Sequence, residues 1–273
     1  MPVPPKAKAK IKYVRQLAER IKAGIKAEET RLLWFDRFTK YPPPVKLAEI
    51  IGDVLKEEPE PLDDGTAGLL IKYLGPIGGP ELGMVAAEWM IEAGWPTINR
   101  IHIFNSVLIL CERSWDLQNA FRAYDMMKKR GVAPNVFTFN LLISTSRLRG
   151  AHEKAFEVYE EMVATGVVPN TFTYTTLIEA CNYRKAGHCE PALYAFQALL
   201  NSGIEPPDFV RLELLSTIEN GCARSNLQGA TEVFEGLEDV GMSNNTRAFN
   251  AVLNACAREG EWIAALEVFE NMK

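Results

Sequence analysis

At 273 residues, 47% of them hydrophobic and 24% charged, the chain can bury a large core and has the balance of a soluble globular protein, not of a disordered or collagen-like polymer. Apolar runs such as Val107–Cys111 fall far short of the roughly 20 residues needed to cross a bilayer, so no membrane association is expected. A net charge of -5 counts against a nucleic-acid partner unless basic side chains gather on one face, because phosphate contacts are a major source of affinity.

The first 63 residues read as a basic helical and linker region. An amphipathic helix runs through Tyr13, Leu17, Ile21 and Ile25, studded with Lys6, Lys8, Lys10, Lys12, Arg15, Arg20 and Lys22. Two readings stand: part of an organellar targeting sequence, or a basic helix that caps the N-terminal end. Glu19, Glu28, Glu29 and the absence of serine weigh towards the cap. Tyr41-Pro-Pro-Pro44 ends this region, a short helix from about Val45 to Lys56 follows, and the acidic, proline-bearing stretch Glu57–Gly65 reads as a loop.

From residue 64 onward the sequence repeats with a period of about 35 residues. Phe104-Asn105 recurs as Phe139-Asn140, becomes Tyr174-Thr175, and returns as Phe249-Asn250. Ala120, Ala155, Ala192, Ala230 and Ala265 mark one point of each unit. Tyr124, Tyr159, Phe196, Phe234 and Phe269 lie four residues later, and Met127, Met162, Leu199, Leu237 and Met272 three beyond those. Such spacings put each set on one face of a helix. Gly131, Gly166, Gly203 and Gly241 close the units where a helix C-terminus favours positive φ, and Pro134, Pro169 and Pro206 follow.

The units read as 64–98 (degenerate), 101–135, 136–170, 171–207, 211–245 and 246–273 (partial). The last stops halfway through its pattern, as a fragment would. About two extra residues near Gly187–Pro191 fall in a turn, where an array tolerates insertion. A lone helical hairpin cannot bury both apolar faces, so neighbouring hairpins must stack. The expected fold is all-α: a right-handed α-solenoid superhelix of helix-turn-helix repeats. Cys111, Cys181, Cys222 and Cys256 fall at equivalent points of first helices, as core thiols and not a metal cluster. With no Cys-x-x-Cys pair, the five cysteines fit a reducing compartment.

Period alone also suits tetratricopeptide repeats, but their Trp-x-x-Leu-Gly-x-x-Tyr opening is absent. Val136-Phe-Thr-Phe-Asn-Leu-Leu-Ile143, Ala155-Phe-Glu-Val-Tyr-Glu-Glu-Met162 and Gly166-Val-Val-Pro-Asn170 together resemble a consensus pentatricopeptide unit, as does the unit from Ile101 to Asn135. The resemblance implies modular recognition of single-stranded RNA, one base per repeat, by an organellar protein of chloroplast or mitochondrion. It pairs the residue after the first-helix aromatic with the residue after the closing proline: Asn105 with Asn135, and Asn140 with Asn170. Asn-Asn pairs imply pyrimidine at two adjacent repeats, most often cytosine. Thr175 pairs with either Pro207 or Asp208, and Asp208 would imply guanine. Leu215 with Asn245 departs from the pattern, and the partner of Asn250 lies past Lys273.

In the family the residue two before the first-helix aromatic wedges between bases, which maps to His102, Phe137, Phe172, Leu212 and Arg247. Phe137 and Phe172 suit stacking, worth roughly 1–3 kcal/mol per base; packing between repeats is the other use of such residues.

Sites for chemistry are not legible. There is no His-x-Glu with a downstream Cys-x-x-Cys, no phosphate loop and no nucleophile elbow. No enzyme activity, metal or cofactor is expected. The resemblance implies transcript processing, stability or translation as the role. The rival is a protein-interaction scaffold within a larger ribonucleoprotein assembly, which net negative charge and Leu215 would suit.

Overall fold

The computed structural model describes residues 5–35, 44–58, 62–94, 100–183, 187–222, 240–242 and 245–271. All regular structure among them is helical: α1 (Pro5–Phe35), α2 (Pro44–Lys56), α3 (Asp64–Glu92), α4 (Ile101–Arg113), α5 (Leu117–Lys129), α6 (Val136–Leu148), α7 (His152–Ala164), α8 (Thr171–Cys181), α9 (Cys189–Asn201), α10 (Asp208–Cys222), α11 (Thr246–Glu259) and α12 (Trp262–Asn271). The all-α repeat architecture is thus observed. The chain forms two compact units, Met1–Leu141 and Leu142–Lys273, and their boundary falls inside α6.

In the first unit α1 packs on α2 and α3, α3 on α4, and α4 on α5. The apolar stripe of α1 is the reason it docks: Val14, Leu17, Ile21 and Ile25 are buried together with Leu47, Ile51 and Leu55 of α2. Its basic residues are partly neutralised across the helices. Lys10 Nζ binds both carboxylate oxygens of Asp63 at 2.8 and 2.9 Å, and Arg20 pairs with Glu57 and Glu58. α3 is two helical segments joined at Gly78–Gly79, between Pro76 and Pro80. Gly79 takes φ 65°, ψ −161°, a region open essentially only to glycine.

In the second unit each helix packs chiefly on its neighbours along the chain: α7 on α8, α8 on α9, α10 on α8 and α9, α11 on α10, and α12 on α11. Nearest-neighbour packing of this kind is what stacked hairpins require. The repeated alanines Ala120, Ala155 and Ala192 are buried, and so are Tyr124, Tyr159, Phe196, Met127, Met162 and Leu199. Their aromatic rings bridge successive hairpins edge-on. Tyr124 meets Phe139, and Tyr159 meets Tyr174, each with ring centroids 5.9 Å apart. Ala230, Phe234, Leu237 and Met272 lie outside the described residues.

The second helices end as their glycines dictate. Gly131 and Gly166 have φ of 67° and 76°, and the residue after each donates its N–H to the carbonyl of the buried methionine, Met127 or Met162, at 3.1 Å. The turn near Gly187 is less permissive than its reading as a tolerant loop suggests. Gly187 lies so close to α10 that a Cβ on it would stand 2.2 Å from the backbone nitrogen of Gly221.

Candidate functional site

Three first helices, α6, α8 and α11, open on an asparagine cap. Asn135 Oδ1 accepts from the Thr138 N–H at 2.9 Å, and the Asn135 N–H returns a bond to Thr138 Oγ1 at 3.2 Å. Asn170 and Thr173 repeat this capping box at 3.0 and 3.2 Å, and Asn245 caps α11 through the Arg247 N–H at 2.9 Å. Each cap satisfies a backbone donor that the helix itself cannot. It also fixes where the asparagine's amide points.

Four of the nominated residues come together in the first unit. His102, Asn105, Asn135 and Phe137 line an open cleft of about 580 Å³ together with Gly65, Gly68, Lys72 and Ser106. The volume is in the range of ligand-binding clefts. Asn105 is 5% exposed and forms part of the floor; Phe137, 50% exposed, stands at the rim beside Asn135. The buried hydroxyl of Thr138 lies 2.8 Å from Asn105 Oδ1 and joins the two asparagines. Gly68 leaves room for Ser106 here: a Cβ on it would stand 2.7 Å from Ser106 Oγ and turn that hydroxyl away.

In the second unit Phe172 is 55% exposed at the start of α8, the counterpart of Phe137. Thr175 is buried, and its hydroxyl donates to the Thr171 carbonyl at 2.8 Å, so that only its lone pairs remain to offer. Asn140, on α6, is buried at the position equivalent to Asn105. A second cleft is lined by Asp208, Arg211, Leu212, Leu215 and Asn245. Asp208 is exposed there, 3.7 Å from Arg211, and no described contact joins it to Thr175. Asn250 is exposed on α11. Arg247 is held by two 2.7 Å bonds to Glu219, which raise its pKa and occupy its guanidinium.

Sequence reading passed over several lining residues. Lys72 sits in the degenerate unit, where no motif flags it. Helix α10 opens at Asp208, three residues before the expected start of its unit, which makes Phe209 the exposed second residue of its helix, as Phe137 and Phe172 are in theirs. All five cysteines are free and buried. Burial pushes the thiols of Cys111, Cys181 and Cys189 up to about 12 and that of Cys222 to about 11. Among the described residues no group of three or more His, Cys, Asp or Glu is placed to hold a metal ion.

Sequence comparison then decides the family. The PPR repeat family matches residues 100–146 and 148–182, and the PPR repeat matches residues 247–273. This chain is a pentatricopeptide repeat protein. No curated protein matches it significantly. In structure this pentatricopeptide repeat protein is similar to nuclear proteinaceous RNase P 2 from A. thaliana, with a TM-score of 0.50 and 15% identity over 69% of this chain and 41% of that one. It is also similar to the PPR domain of Arabidopsis thaliana protein-only RNase P 1 in complex with tRNA (TM-score 0.42, 17% identity, 60% and 84% covered). A third similarity is to PPR10, a maize protein, in complex with an 18-nt psaJ RNA element (0.45, 19%, 99% and 43%). The chain therefore spans less than half the length of the first and third. At these identities the likeness concerns the helical-repeat fold.

Proposed function

We propose that this pentatricopeptide repeat protein binds single-stranded RNA, one base per repeat, and acts in an organelle on transcript processing, stability or translation without chemistry of its own. The observation that carries the reading is the cleft of the first unit. There two asparagine amides, a rim phenylalanine, a histidine and Lys72 converge from three successive repeats. Aromatic faces suit base stacking, amides suit a base edge, and a lysine suits a phosphate. In this reading residues 1–63 cap an array that fills 64–273. Asn140 with Asn170 reads a second pyrimidine, Thr175 pairs with Pro207 or Asp208 and reads guanine only with Asp208, and Asn250 contacts a further base. Thr175 and Asp208 offer acceptors, which fit the N1–H and N2–H₂ donors of guanine.

A second reading attaches to the second cleft. With α10 opening at Asp208, Phe209 and Leu212 occupy the places that His102 and Asn105 hold in α4, and an apolar side chain at the fifth position offers a base edge nothing to pair with. That part of the array suits a protein partner within a ribonucleoprotein assembly.

Fluorescence anisotropy with short single-stranded RNAs, pyrimidine-rich against purine-rich and at two salt concentrations, tests the first reading. Salt-sensitive binding that prefers pyrimidine and loses that preference in Asn105→Ala supports it. Binding indifferent to sequence and to that substitution transfers the whole array to the scaffold reading.

A further inference from the structure

Taking the cleft of the first unit to be a base site, we propose that Thr138 is the positioning residue that makes the preceding repeat, 101–135, select cytosine. Thr138 has no exposed surface and would touch no base. It acts through Asn105.

The Thr138 hydroxyl has one proton and two asparagine oxygens within reach: Asn105 Oδ1 at 2.8 Å and Asn135 Oδ1 at 3.0 Å. Asn135 Oδ1 already accepts the Thr138 N–H at 2.9 Å and lies farther from the hydroxyl than Asn105 Oδ1 does, and Thr138 Oγ1 accepts the Asn135 N–H. The proton therefore goes to Asn105, at a separation typical of O–H···O bonds and shorter than most N–H···O ones. Both amides are thereby turned the same way. Each has its oxygen engaged at Thr138, and each has Nδ2 as the end that meets the cleft both residues line.

Two outward donors fix what can face them. Among the four bases only cytosine carries two neighbouring acceptors, N3 and O2, on its Watson–Crick edge. Uracil places a donor, N3–H, between its two carbonyls. Adenine offers one acceptor beside a donor, and guanine one acceptor beside two donors. The Asn170 cap carries the same hydroxyl on Thr173, but not every repeat does. At Asn245 the cap accepts from Arg247, and the third residue of α11 is Ala248, which has no hydroxyl.

The test uses the full chain and RNAs that differ only in the base facing this repeat. Thr138→Val keeps the shape and the bond from the residue 138 N–H to Asn135 Oδ1, gives up the bond that the Asn135 N–H makes to Oγ1, and releases the Asn105 amide. A cytosine-over-uracil ratio on the order of tenfold in the parent is expected to fall to about two- or threefold, and Thr138→Ser to restore it. If Asn105→Ala abolishes the ratio while Thr138→Val leaves it intact, Thr138 is not the positioning residue, though RNA reading stands. If the parent shows no ratio and Asn105→Ala changes nothing, the base site itself is refuted and the inference with it. Should Thr138→Val not fold, the Asn105 side-chain amide in the ¹⁵N-labelled parent decides. Rapid exchange of its Nδ2 protons with water supports the outward amide, and protected protons overturn it.

Discussion

A methyl group added at residue 221 has nowhere to go. Its Cβ would lie 2.1 Å from Cys189 Sγ and 2.4 Å from the Gly187 carbonyl oxygen. Glycine to alanine inside a helix normally gains about 0.5–1 kcal/mol, but here overpacking wins. We expect Gly221→Ala to cost about 1–3 kcal/mol, read as a lower Tm. At Gly166 the conflict is different. Nothing lies within 4 Å of an added Cβ, yet φ is 76°. Gly166→Ala should cost about 1–2 kcal/mol from backbone strain alone, and Gly166→Asn less. The buried thiols make a third expectation. With pKa values pushed to 11–12, Cys111, Cys181, Cys189 and Cys222 should resist alkylation at neutral pH until the protein is unfolded. Native labelling of any of them within minutes would show that their helices open.

Helix by helix, the capping residues hold the repeats in register. Asn170→Ala is expected to cost about 1 kcal/mol of stability, and Asn170→Asp little, as urea unfolding would show. At the N-terminal end Asp63 caps α3 and ties it to α1. The bond from Lys10, then that from Thr66, draws its carboxyl down to about 2 from an ordinary 3.8. The folded chain therefore holds this proton less tightly than the unfolded one. The contribution is complete above about pH 4 and is lost as pH falls towards 2. Asp63→Asn should flatten the acid limb of a stability–pH curve. The helices were legible because alanine, aromatic and methionine positions recur at one-face spacings, and Ala120, Tyr124 and Met127 are indeed buried together. The glycine closures were legible because positive φ restricts residue choice so strongly. Gly187 against Gly221, Thr138 against Asn105, and Lys72 in one cleft with His102 were not. Each joins residues 30 or more positions apart, and local periodicity carries no information about such meetings. The start of α10 was missed for a local reason: with Pro206 and Pro207 ahead of it, the turn ends at Asp208 and the helix opens there.

Across the whole molecule, a net charge of -5 means that affinity for RNA cannot come from a general field. It must come from individual cations such as Lys72. Lys72→Ala should weaken binding to all RNA sequences about equally and reduce the salt slope by about 0.7, whereas Asn105→Ala should alter base choice with little change in slope. A reversed pattern, with Lys72 governing preference, would sink the assignment of roles within the cleft.

Asn135, Asn170 and Asn245 each begin a helix with their own side chains. A residue that must start a helix is drawn from a short alphabet: Asn, Asp, Ser, Thr, Gly. Anyone rewriting the base preference of this array through those positions is confined to the same few letters, because other choices would loosen the hairpin that presents them. The vocabulary with which such a repeat could address RNA is bounded by what lets its helix begin.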